Sequence, residues 1–369
     1  MTDTATDIVE QDLEYITGEL REEFGRMGNK RLLIVGGAGF LGYYLVQAVL
    51  HWNRTAGKLN PIRLTVYDNY IRGIPEWLAA LDGTAHLELV RHDITEPLPD
   101  DIGDVQYIVH AGSIASPIFY RRHPIETMDA NIGGLRRLLD YALRQQSSSH
   151  PVEGFLFYSS SEIYGDPTPE NIPTPETYRG NVSCTGPRSC YDESKRFGET
   201  LCVFFAQQHD LPITVVRPFN NYGPGLKITD KRVLPDFARD ILSGRDIVMK
   251  STGTPSRTFC YVADAVVGYY KVLVKGRPGE AYNIGVEAPE ITMAQLAEKV
   301  VALGHDLWGY TGKVVRNIDE DYLADNPERR CPVITKARTE LGYAPKILVD
   351  EGLRRSLIWY AGNRDAEDA

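Results

Sequence analysis

A tyrosine and a lysine stand four residues apart in the stretch CYDESKR, at Tyr191 and Lys195. If this stretch is helical, the spacing places both side chains on one face of the helix. A free tyrosine has a pKa of about 10 and is a poor base at neutral pH, but a nearby ammonium group favours the phenolate. The same spacing is also typical of an ordinary surface pair, so its interpretation depends on the surrounding elements.

Two hydroxyls and a carboxylate stand in a row at the end of the apolar stretch GFLFYS, as Ser160, Ser161 and Glu162. A hydroxyl in such a row can assist at the same substrate oxygen as a tyrosine, and a carboxylate can act as an acid or a base. The alternative for Glu162 is a surface glutamate at the end of a strand.

Three glycines, Gly36, Gly39 and Gly42, lie between the strand-like stretch RLLIV and a stretch of helical periodicity. The first glycine permits a tight turn, and backbone N–H groups at the start of the helix can then meet a pyrophosphate. Asp68 ends the next strand-like stretch, where a carboxylate accepts hydrogen bonds from both adenosine ribose hydroxyls and repels a 2′-phosphate. The pattern predicts an NAD site, with a capping or turn residue as the alternative for Asp68.

Other residues extend the predicted NAD site. Asp93 could reach the adenine or cap a turn, and Arg72 could partly offset the preference for NAD over NADP. The cofactor-binding candidates are Gly36, Gly39, Phe40, Leu41, Gly42, Asp68, Asn69, Arg72, Asp93, Ile94, Ala111, Ser113, Tyr191 and Lys195. Beside such a site, and with Ser160 on the preceding strand, the Tyr191–Lys195 pair is interpreted as catalytic, because a positively charged nicotinamide adds to the effect of the ammonium.

Strand-like stretches alternate with helical ones from residue 31 onward. This alternation predicts an α/β fold with a Rossmann-type, doubly wound parallel sheet. We expect an NAD-binding domain in residues 31–221 plus about 257–285, and a smaller, sequence-split substrate domain in residues 222–256 plus 286–360. Residues 1–30 have the periodicity of an amphipathic helix that packs on the body of the protein or on a sister subunit.

Composition excludes several classes of function. The net charge of −10 argues against a nucleic-acid partner. The sequence contains no apolar run long enough to predict a membrane span and no signal-peptide pattern at its start. Five cysteines without metal-site spacing predict reduced thiols in a cytoplasmic protein and no metal site.

The stretch GGAGFLG, together with Asp68, Ser160 and the Tyr191–Lys195 pair, resembles the extended short-chain dehydrogenases/reductases that act on nucleotide sugars. The resemblance runs from about residue 31 to residue 360. Within this group, five stretches are most similar to the UDP-glucuronate decarboxylases (UDP-xylose synthases): HAGSIASPIFY, SSSEIYGDP, GPRSCYDESKR, RPFNNYGP and SRTFCYVAD. The GPRxCYDExKR pattern is the most specific of them.

The family comparison gives a meaning to the acid at Glu162. Nucleotide-sugar 4,6-dehydratases typically carry an Asp-Glu pair after the catalytic hydroxyl, and Ser161 stands here in place of that Asp. The 4-epimerases usually have a small or hydroxyl residue where Glu162 stands. The decarboxylases have a hydroxyl, Ser and Glu in this order, as this sequence does.

The resemblance also implies residues for the anionic substrate. Arg257 matches the family arginine that faces the sugar carboxylate, so the catalytic candidates are Ser160, Glu162, Tyr191, Lys195 and Arg257. The substrate-binding candidates are Tyr120, Arg188, Asn220, Arg232, Arg257 and Arg330. Taken singly, each arginine could be a solvated surface charge and Asn220 a turn residue. The family further implies a homodimer through the helices that follow residues 126 and 191.

The predicted activity is the NAD-dependent decarboxylation of UDP-glucuronate to UDP-xylose through C4 oxidation and a 4-keto intermediate. The alternatives are a UDP-sugar 4-epimerase or 4,6-dehydratase and, from another class, a non-catalytic dinucleotide-binding regulator. Five positions depart from the family pattern: Val35, Asp129, Ser194, Gly225 and Val333. These departures leave open whether some UDP-4-keto-pentose is released.

Overall fold

The computed structural model of the chain describes residues 3–318 and 327–364. Its strands, in chain order, are β1 (Arg31–Val35), β2 (Arg63–Asp68), β3 (Leu87–Arg91), β4 (Tyr107–His110), β5 (Gly154–Tyr158), β6 (Ile213–Pro218), β7 (Asn221–Tyr222), β8 (Ile247–Met249), β9 (Ser256–Thr258), β10 (Cys260–Tyr261), β11 (Ala281–Ile284), β12 (Glu290–Thr292), β13 (Val314–Arg316) and β14 (Arg329–Arg330).

Helices separate most of these strands. In chain order they are α1 (Ala5–Glu19), α2 (Arg21–Met27), α3 (Gly42–Arg54), α4 (Glu76–Ala79), α5 (Pro117–Arg122), α6 (Pro124–Met128), α7 (Leu135–Gln145), α8 (Ser189–His209), α9 (Val233–Leu242), α10 (Val262–Lys275), α11 (Met293–Trp308), α12 (Thr335–Leu341) and α13 (Val349–Gly362). A π-helical segment, Asp129–Gly134, joins α6 to α7, and two 3-10 turns lie at Ser161–Tyr164 and Pro169–Asn171.

A seven-stranded parallel sheet forms the centre of the molecule, in the order β3-β2-β1-β4-β5-β6-β11. The chain builds outward from β1 in one direction and from β4 in the other, so the order reverses between these two strands. In sheets of this kind ligands bind at the carboxyl ends of the strands, beside the reversal. The predicted doubly wound sheet is confirmed.

Apolar strands explain why this sheet is covered on both faces. The side chains of Leu32–Val35 and of all of β5 are buried, as expected for parallel strands that lie between two helical layers. On one face β1 packs with α3 and α10, and on the other face β5 and its neighbours pack with α7 and α8. The two layers hold the strand ends, and the loops that follow them, in fixed positions.

Smaller sheets come from the two segments that the sequence assigns to a substrate domain. β8 pairs with β13 in parallel, and β9 pairs with β12 and β14. These pairs bring chain from before residue 260 together with chain from after residue 286, as a sequence-split unit requires. Residues 319–326 of the second segment lie outside the described residues.

The amphipathic segment at the start of the chain forms two helices instead of one. Helix α1 ends just before Leu20, and helix α2 begins just after it. Their apolar faces pack on α3, α10 and α13, so the segment lies on the body of its own chain. The buried Asp12 of α1 accepts hydrogen bonds from Tyr44 and Tyr261. Among the described residues no helix is both long enough and apolar enough to cross a membrane.

Candidate active site

A cavity of about 1250 Å³ opens at the carboxyl ends of the large sheet. Its walls come from the loops after β1, β2, β4 and β5, from the start of α8 and from the segment between β7 and α9. Every residue that the sequence proposed for catalysis, cofactor binding or substrate binding lines this cavity. The fold therefore brings together residues that are spread over some 300 positions of the chain.

The turn between β1 and α3 is shaped by its glycines. Gly36 has a φ of +86°, in the left-handed region that favours glycine. A Cβ atom on Gly36 would collide with the backbone of Gly112, and one on Gly42 would collide with the carbonyl of Gly37. The backbone thus passes close to its neighbours and leaves the amino end of α3 facing the cavity, as a pyrophosphate site requires.

Asp68 closes the same end of the cavity from the last position of β2. Its carboxylate accepts hydrogen bonds from the backbone N–H groups of Ala38 at 3.0 Å and Tyr70 at 2.9 Å. Burial raises the pKa of Asp68, and these two hydrogen bonds partly oppose that rise. Each oxygen keeps a lone pair for a further donor, so the turn and this acid together fit the adenosine half of NAD.

Two other cofactor candidates are engaged with each other. Asn69 donates to Asp93 Oδ2 at 3.0 Å, and Asp93 Oδ1 accepts from the backbone and hydroxyl of Thr95. In this structure Asp93 therefore caps a turn, which is one of the two interpretations of this residue given above. Arg72 donates to Asp230 Oδ2 at 3.2 Å.

Tyr191 and Lys195 lie in the first turns of α8 and are both buried. Lys195 Nζ donates to the carbonyl of Tyr158 at 2.8 Å and lies 5.7 Å from the centre of the Tyr191 ring. The Tyr120 ring stacks on Tyr191 at 5.0 Å with an interplanar angle of 12°. Stacking and helix position together fix the direction of the phenol.

Burial dominates the protonation of this pair. It lowers the pKa of Lys195 to about 7. It raises the pKa of Tyr191 to about 12, although a hydrogen bond with Ser160 lowers that pKa in part. The lysine alone therefore does not make Tyr191 a phenolate in this cavity, and a further positive charge at the site is needed to favour the ionised form.

Glu162 reaches the cavity because of a local cap. Ser160 precedes the 3-10 turn Ser161–Tyr164, and its Oγ accepts a hydrogen bond from the backbone N–H of Glu162 at 3.2 Å. The turn directs the Glu162 side chain toward two arginines. Arg330 forms a two-point pair with it, at 2.6 and 2.8 Å, and Arg188 donates a further hydrogen bond.

These contacts rule out a surface role for either arginine. Arg188 is 6% exposed and Arg330 is 8% exposed. Burial would raise the pKa of Glu162, but the charges of Arg188 and Arg330 outweigh it and hold that pKa well below its ordinary value. Glu162 is therefore ionised at neutral pH and forms the centre of a buried anion–cation cluster.

Arg257 is held by the protein backbone at the wall of the cavity. It lines the cavity, but its guanidinium donates to the backbone carbonyls of Ser256 at 2.7 Å, Glu328 at 3.0 Å and Pro327. These bonds tie β9 to the chain that enters β14. Arg330, which lies directly opposite Arg257 in the β9–β14 pair, forms the two-point contact with Glu162.

The two remaining polar substrate candidates also have protein partners. Asn220 has a φ of +44° and donates to the carbonyl of Thr258 at 2.9 Å. Arg232 lies 3.0 Å from Asp230 Oδ1. Both side chains line the cavity, and each is bound to a protein partner. Such an arrangement fixes a polar group before a ligand binds.

Asp192 is a site residue that the sequence interpretation missed, although it directly follows Tyr191. It is buried, and its Oδ2 lies 3.8 Å from Arg188 Nε, so that Glu162 and Asp192 share one arginine. Burial and the nearby charge of Glu162 raise the pKa of Asp192 to about 7. The signal in the sequence was an acid one position after a catalytic tyrosine and four after an arginine.

A pH dependence of stability follows from Asp192. A carboxyl whose pKa is higher in the folded protein than in the unfolded chain stabilises the fold at low pH, and that contribution is lost as the pH rises from about 4 toward about 7. We expect Asp192→Asn to gain a few degrees in melting temperature relative to the wild type between pH 5 and pH 8. Thermal melts of both proteins in matched buffers measure this; parallel curves would contradict a raised pKa of Asp192 in the folded protein.

The departures from the family pattern do not all face the cavity. Val35, Asp129 and Gly225 line it. Gly225 has a φ of +89°, and a Cβ atom there would collide with Tyr43, so the backbone of this segment packs directly on the start of α3. Ser194 lies behind the wall, where it accepts a hydrogen bond from Asn131 at 2.9 Å.

Comparison with known proteins agrees with this geometry. Residues 32–285 match the family described as the NAD dependent epimerase/dehydratase family. The chain is 39% identical over 325 residues to UDP-glucuronic acid decarboxylase 3 of Arabidopsis thaliana, with 88% of this chain and 87% of that protein covered. It is 33% identical over 340 residues to UDP-glucuronic acid decarboxylase 1 of Xenopus tropicalis, with 90% and 72% covered.

Solved structures resemble the whole described fold. A dTDP-glucose 4,6-dehydratase from Streptomyces venezuelae, solved with NAD and TYD bound, has a TM-score of 0.77 at 26% identity, covering 91% of this chain and 98% of that one. The epimerase Mth375 of Methanothermobacter thermautotrophicus has a TM-score of 0.79 at 24% identity, with 95% and 98% covered, and shows the fold alone.

Proposed function

Because this chain belongs to the NAD-dependent epimerase/dehydratase family, we propose that it converts UDP-glucuronate to UDP-xylose by decarboxylation at C5. The observation that carries the proposal is the ionised Glu162, held by Arg188 and Arg330 in the same cavity as Tyr191. Ser161 stands next to it, where a dehydratase needs a second acid to expel water. The relatives that are named as UDP-glucuronic acid decarboxylases support the same reaction.

NAD is the cofactor of the family, and when bound it supplies reversible hydride transfer at C4 of the sugar. We propose that the backbone at Gly36, Gly39 and Gly42 meets its pyrophosphate and that Asp68 accepts the ribose hydroxyls. The glycine turn, Asp68, Tyr191, Lys195 and Glu162 all line the same cavity. The large sheet then holds the cofactor, and the small split sheets hold the sugar nucleotide.

Proton transfer at C4 falls to Tyr191. Its phenolate takes the proton of the C4 hydroxyl as C4 is oxidised, and Ser160 donates a hydrogen bond at the same oxygen. Lys195, fixed on the carbonyl of Tyr158, supplies one of the positive charges that favour the phenolate. The product of this step is a sugar with a ketone at C4 and a carboxylate on C5.

Loss of CO2 then needs no group that expels water. The C5–carboxylate bond breaks, its electron pair flows into the C4 carbonyl, and Tyr191 and Ser160 stabilise the resulting enolate oxygen by hydrogen bonds. Since Glu162 is ionised, we propose that it orients a water that relays a proton from solvent to C5, instead of giving up a proton of its own. We assign Arg330, the direct partner of Glu162, to the carboxylate end of the sugar in place of Arg257.

The alternatives fit these residues less well. A 4-epimerase has no use for a buried acid between two arginines near C5, and a 4,6-dehydratase lacks its second acid at Ser161. A regulator without catalysis has no need of the Tyr191–Lys195 pair, which is buried and formed. The direct test is UDP-glucuronate labelled at the carboxyl carbon: the label should leave as CO2, whereas retention in the sugar nucleotide would favour the epimerase.

The nucleotide that co-purifies with the protein is expected to be NAD(H). Asp68 would repel a 2′-phosphate, and Arg72, the residue that could attract one, is paired with Asp230. Denaturing the protein and separating the released nucleotides by chromatography measures this preference. Recovery of mostly NADP(H) would contradict the assignment of Asp68.

We also propose that UDP-xylose is the main product and that some UDP-4-keto-pentose escapes before C4 is reduced again. Asp129 and Gly225 line the cavity without the basic side chains that the family has there, so the grip on the sugar anion is weaker. Product masses and the absorbance of reduced cofactor, followed together with and without added NAD+, test this. A single pentose product with no accumulation of reduced cofactor would contradict the release of UDP-4-keto-pentose.

We further propose a cytoplasmic homodimer. The five cysteines, Cys184, Cys190, Cys202, Cys260 and Cys331, are all free thiols, as expected in a reducing compartment. Phe197 and Phe204 are 49% and 54% exposed on α8, one of the helices through which the family pairs. Light scattering of the purified protein measures the assembly.

A further inference from the structure

Asp230 is a buried carboxylate that the proposed reaction does not use. It lies in the segment before α9, is 4% exposed and lines the cavity. Two arginines pair with it. Arg72 Nη1 donates to Oδ2 at 3.2 Å, and Arg232 Nε lies 3.0 Å from Oδ1. Each of the two carboxylate oxygens is therefore assigned to a different arginine.

The two arginines come from different segments that line the cavity. Arg72 follows β2 and stands four residues after Asp68, on the side of the NAD ribose. Arg232 stands at the start of α9, among the residues proposed for the sugar nucleotide. Asp230 is thus the point at which the cofactor side and the substrate side of the cavity are joined.

A third segment meets them at the same point. The hydroxyl of Ser116, in the loop after β4, donates to the backbone carbonyl of Asp230 at 3.3 Å. The guanidinium of Arg72 lies 4.9 Å from the centre of the Phe119 ring, in the helix that follows Ser116. The loops after β2 and β4 are therefore both attached to the segment before α9, across the cavity.

The backbone at this point is strained. Lys231, between Asp230 and Arg232, has a φ of +67°, in the left-handed region that costs a residue with a side chain about 1 kcal/mol or more. Such strain persists only where the surroundings hold it in place. Here the turn lets Asp230 and Arg232, on either side of Lys231, pair with each other.

We propose that Asp230 is a positioning residue that holds Arg232 ready for the diphosphate of the sugar nucleotide and, through Arg72, holds the loop after β2 over NAD. The identity of the two ligands, NAD and the sugar nucleotide, rests on the proposed function. One carboxylate, that of Asp230, serves both arginines. An anion bound at Arg232 therefore releases this carboxylate for Arg72, and NAD binding becomes tighter. Binding at the two ends is therefore coupled, and by linkage the coupling is reciprocal.

The experiment measures NAD release without turnover. Purified protein with its bound NAD is diluted into excess labelled NAD, with and without UDP, and the exchange rate is followed. UDP should slow the exchange in the wild type. Arg72→Gln should speed it roughly fivefold, since Arg72 is 44% exposed and its ion pair is only partly desolvated. Asp230→Asn should speed it more and should abolish the effect of UDP.

Two further variants make the test specific. Arg91→Gln removes an exposed arginine from the end of the neighbouring strand β3 and should leave the exchange unchanged. In the double variant of Arg72 and Asp230 the effects should not add, because both substitutions break one contact. UDP affinity of the NAD-bound protein, measured by calorimetry, should fall in both variants because the coupling is reciprocal, and it should fall more in Asp230→Asn.

Two results would overturn the proposal: exchange rates in Arg72→Gln equal to those in Arg91→Gln, or an undiminished effect of UDP in Arg72→Gln. Arg72→Gln changes a half-exposed side chain and should fold, so the test does not depend on the buried Asp230. Since exchange needs no chemistry on the sugar, a protein that couples UDP to NAD release but yields no CO2 supports the role of Asp230 while rejecting the proposed reaction.

Discussion

Tyr191→Phe is expected to lose roughly 10³-fold in turnover with UDP-glucuronate, within the range for removal of a general base. The substitution removes only the hydroxyl, while the ring keeps its stacking on Tyr120 at 5.0 Å. Fold and cofactor content should therefore be close to those of the wild type. Steady-state rates, together with the NAD content of the purified variant, measure the two expectations separately.

A matched variant distinguishes the base from its environment. Tyr120→Phe also removes one buried hydroxyl from the stacked pair, but that hydroxyl is not assigned to C4, and a much smaller loss is expected. If Tyr191→Phe oxidised C4 at nearly the normal rate, the assignment of the base would be wrong.

Glu162→Gln is expected to slow CO2 release roughly 10²-fold while changing UDP affinity little. The amide keeps the size of the side chain but removes the charge that Arg188 and Arg330 share. Both guanidiniums then act on the substrate carboxylate alone and hold it more tightly, which opposes its departure as neutral CO2. The water near C5 also loses its orienting anion.

The two halves of the reaction can be observed apart in this variant. In a single turnover, absorbance of reduced cofactor should rise at nearly the normal rate, and CO2 should follow slowly. Arg257→Gln provides the comparison, because Arg257 bonds to backbone carbonyls and its loss should lower the melting temperature more than the chemical rate. Equal losses of rate and UDP affinity in Glu162→Gln would indicate a structural role for this acid.

Local patterns in the sequence were sufficient to predict that the residues proposed for cofactor binding lie together. The turn at Gly36 depends on backbone conformation within a few residues, and Tyr191 and Lys195 lie one helical turn apart. The alternation of strands and helices predicted the sheet for the same reason, since each element is encoded over a short stretch. The sequence-split second domain remains a prediction of this kind.

The substrate end could not be predicted in the same way, because it depends on pairs that are distant in the chain. Glu162 and Arg330 are 168 positions apart, and their pairing follows from how β14 lies beside β9. No short-range pattern distinguishes Arg330 from Arg257, and only the structure shows which of them meets the acid. The sequence did not single out Asp192 or Asp230, because the roles of their neighbours, Tyr191 and Arg232, are more familiar.

The most direct measurement of the central claim is the mass of the product that the purified protein forms from UDP-glucuronate in D2O. Decarboxylation with protonation of C5 by water predicts a UDP-pentose that has lost CO2 and carries one deuterium at C5. A product with the mass of UDP-glucuronate that separates from the substrate on chromatography would identify an epimerase and contradict the assignment of Glu162 and Arg330. A UDP-pentose without deuterium would contradict protonation by water and leave the decarboxylation intact.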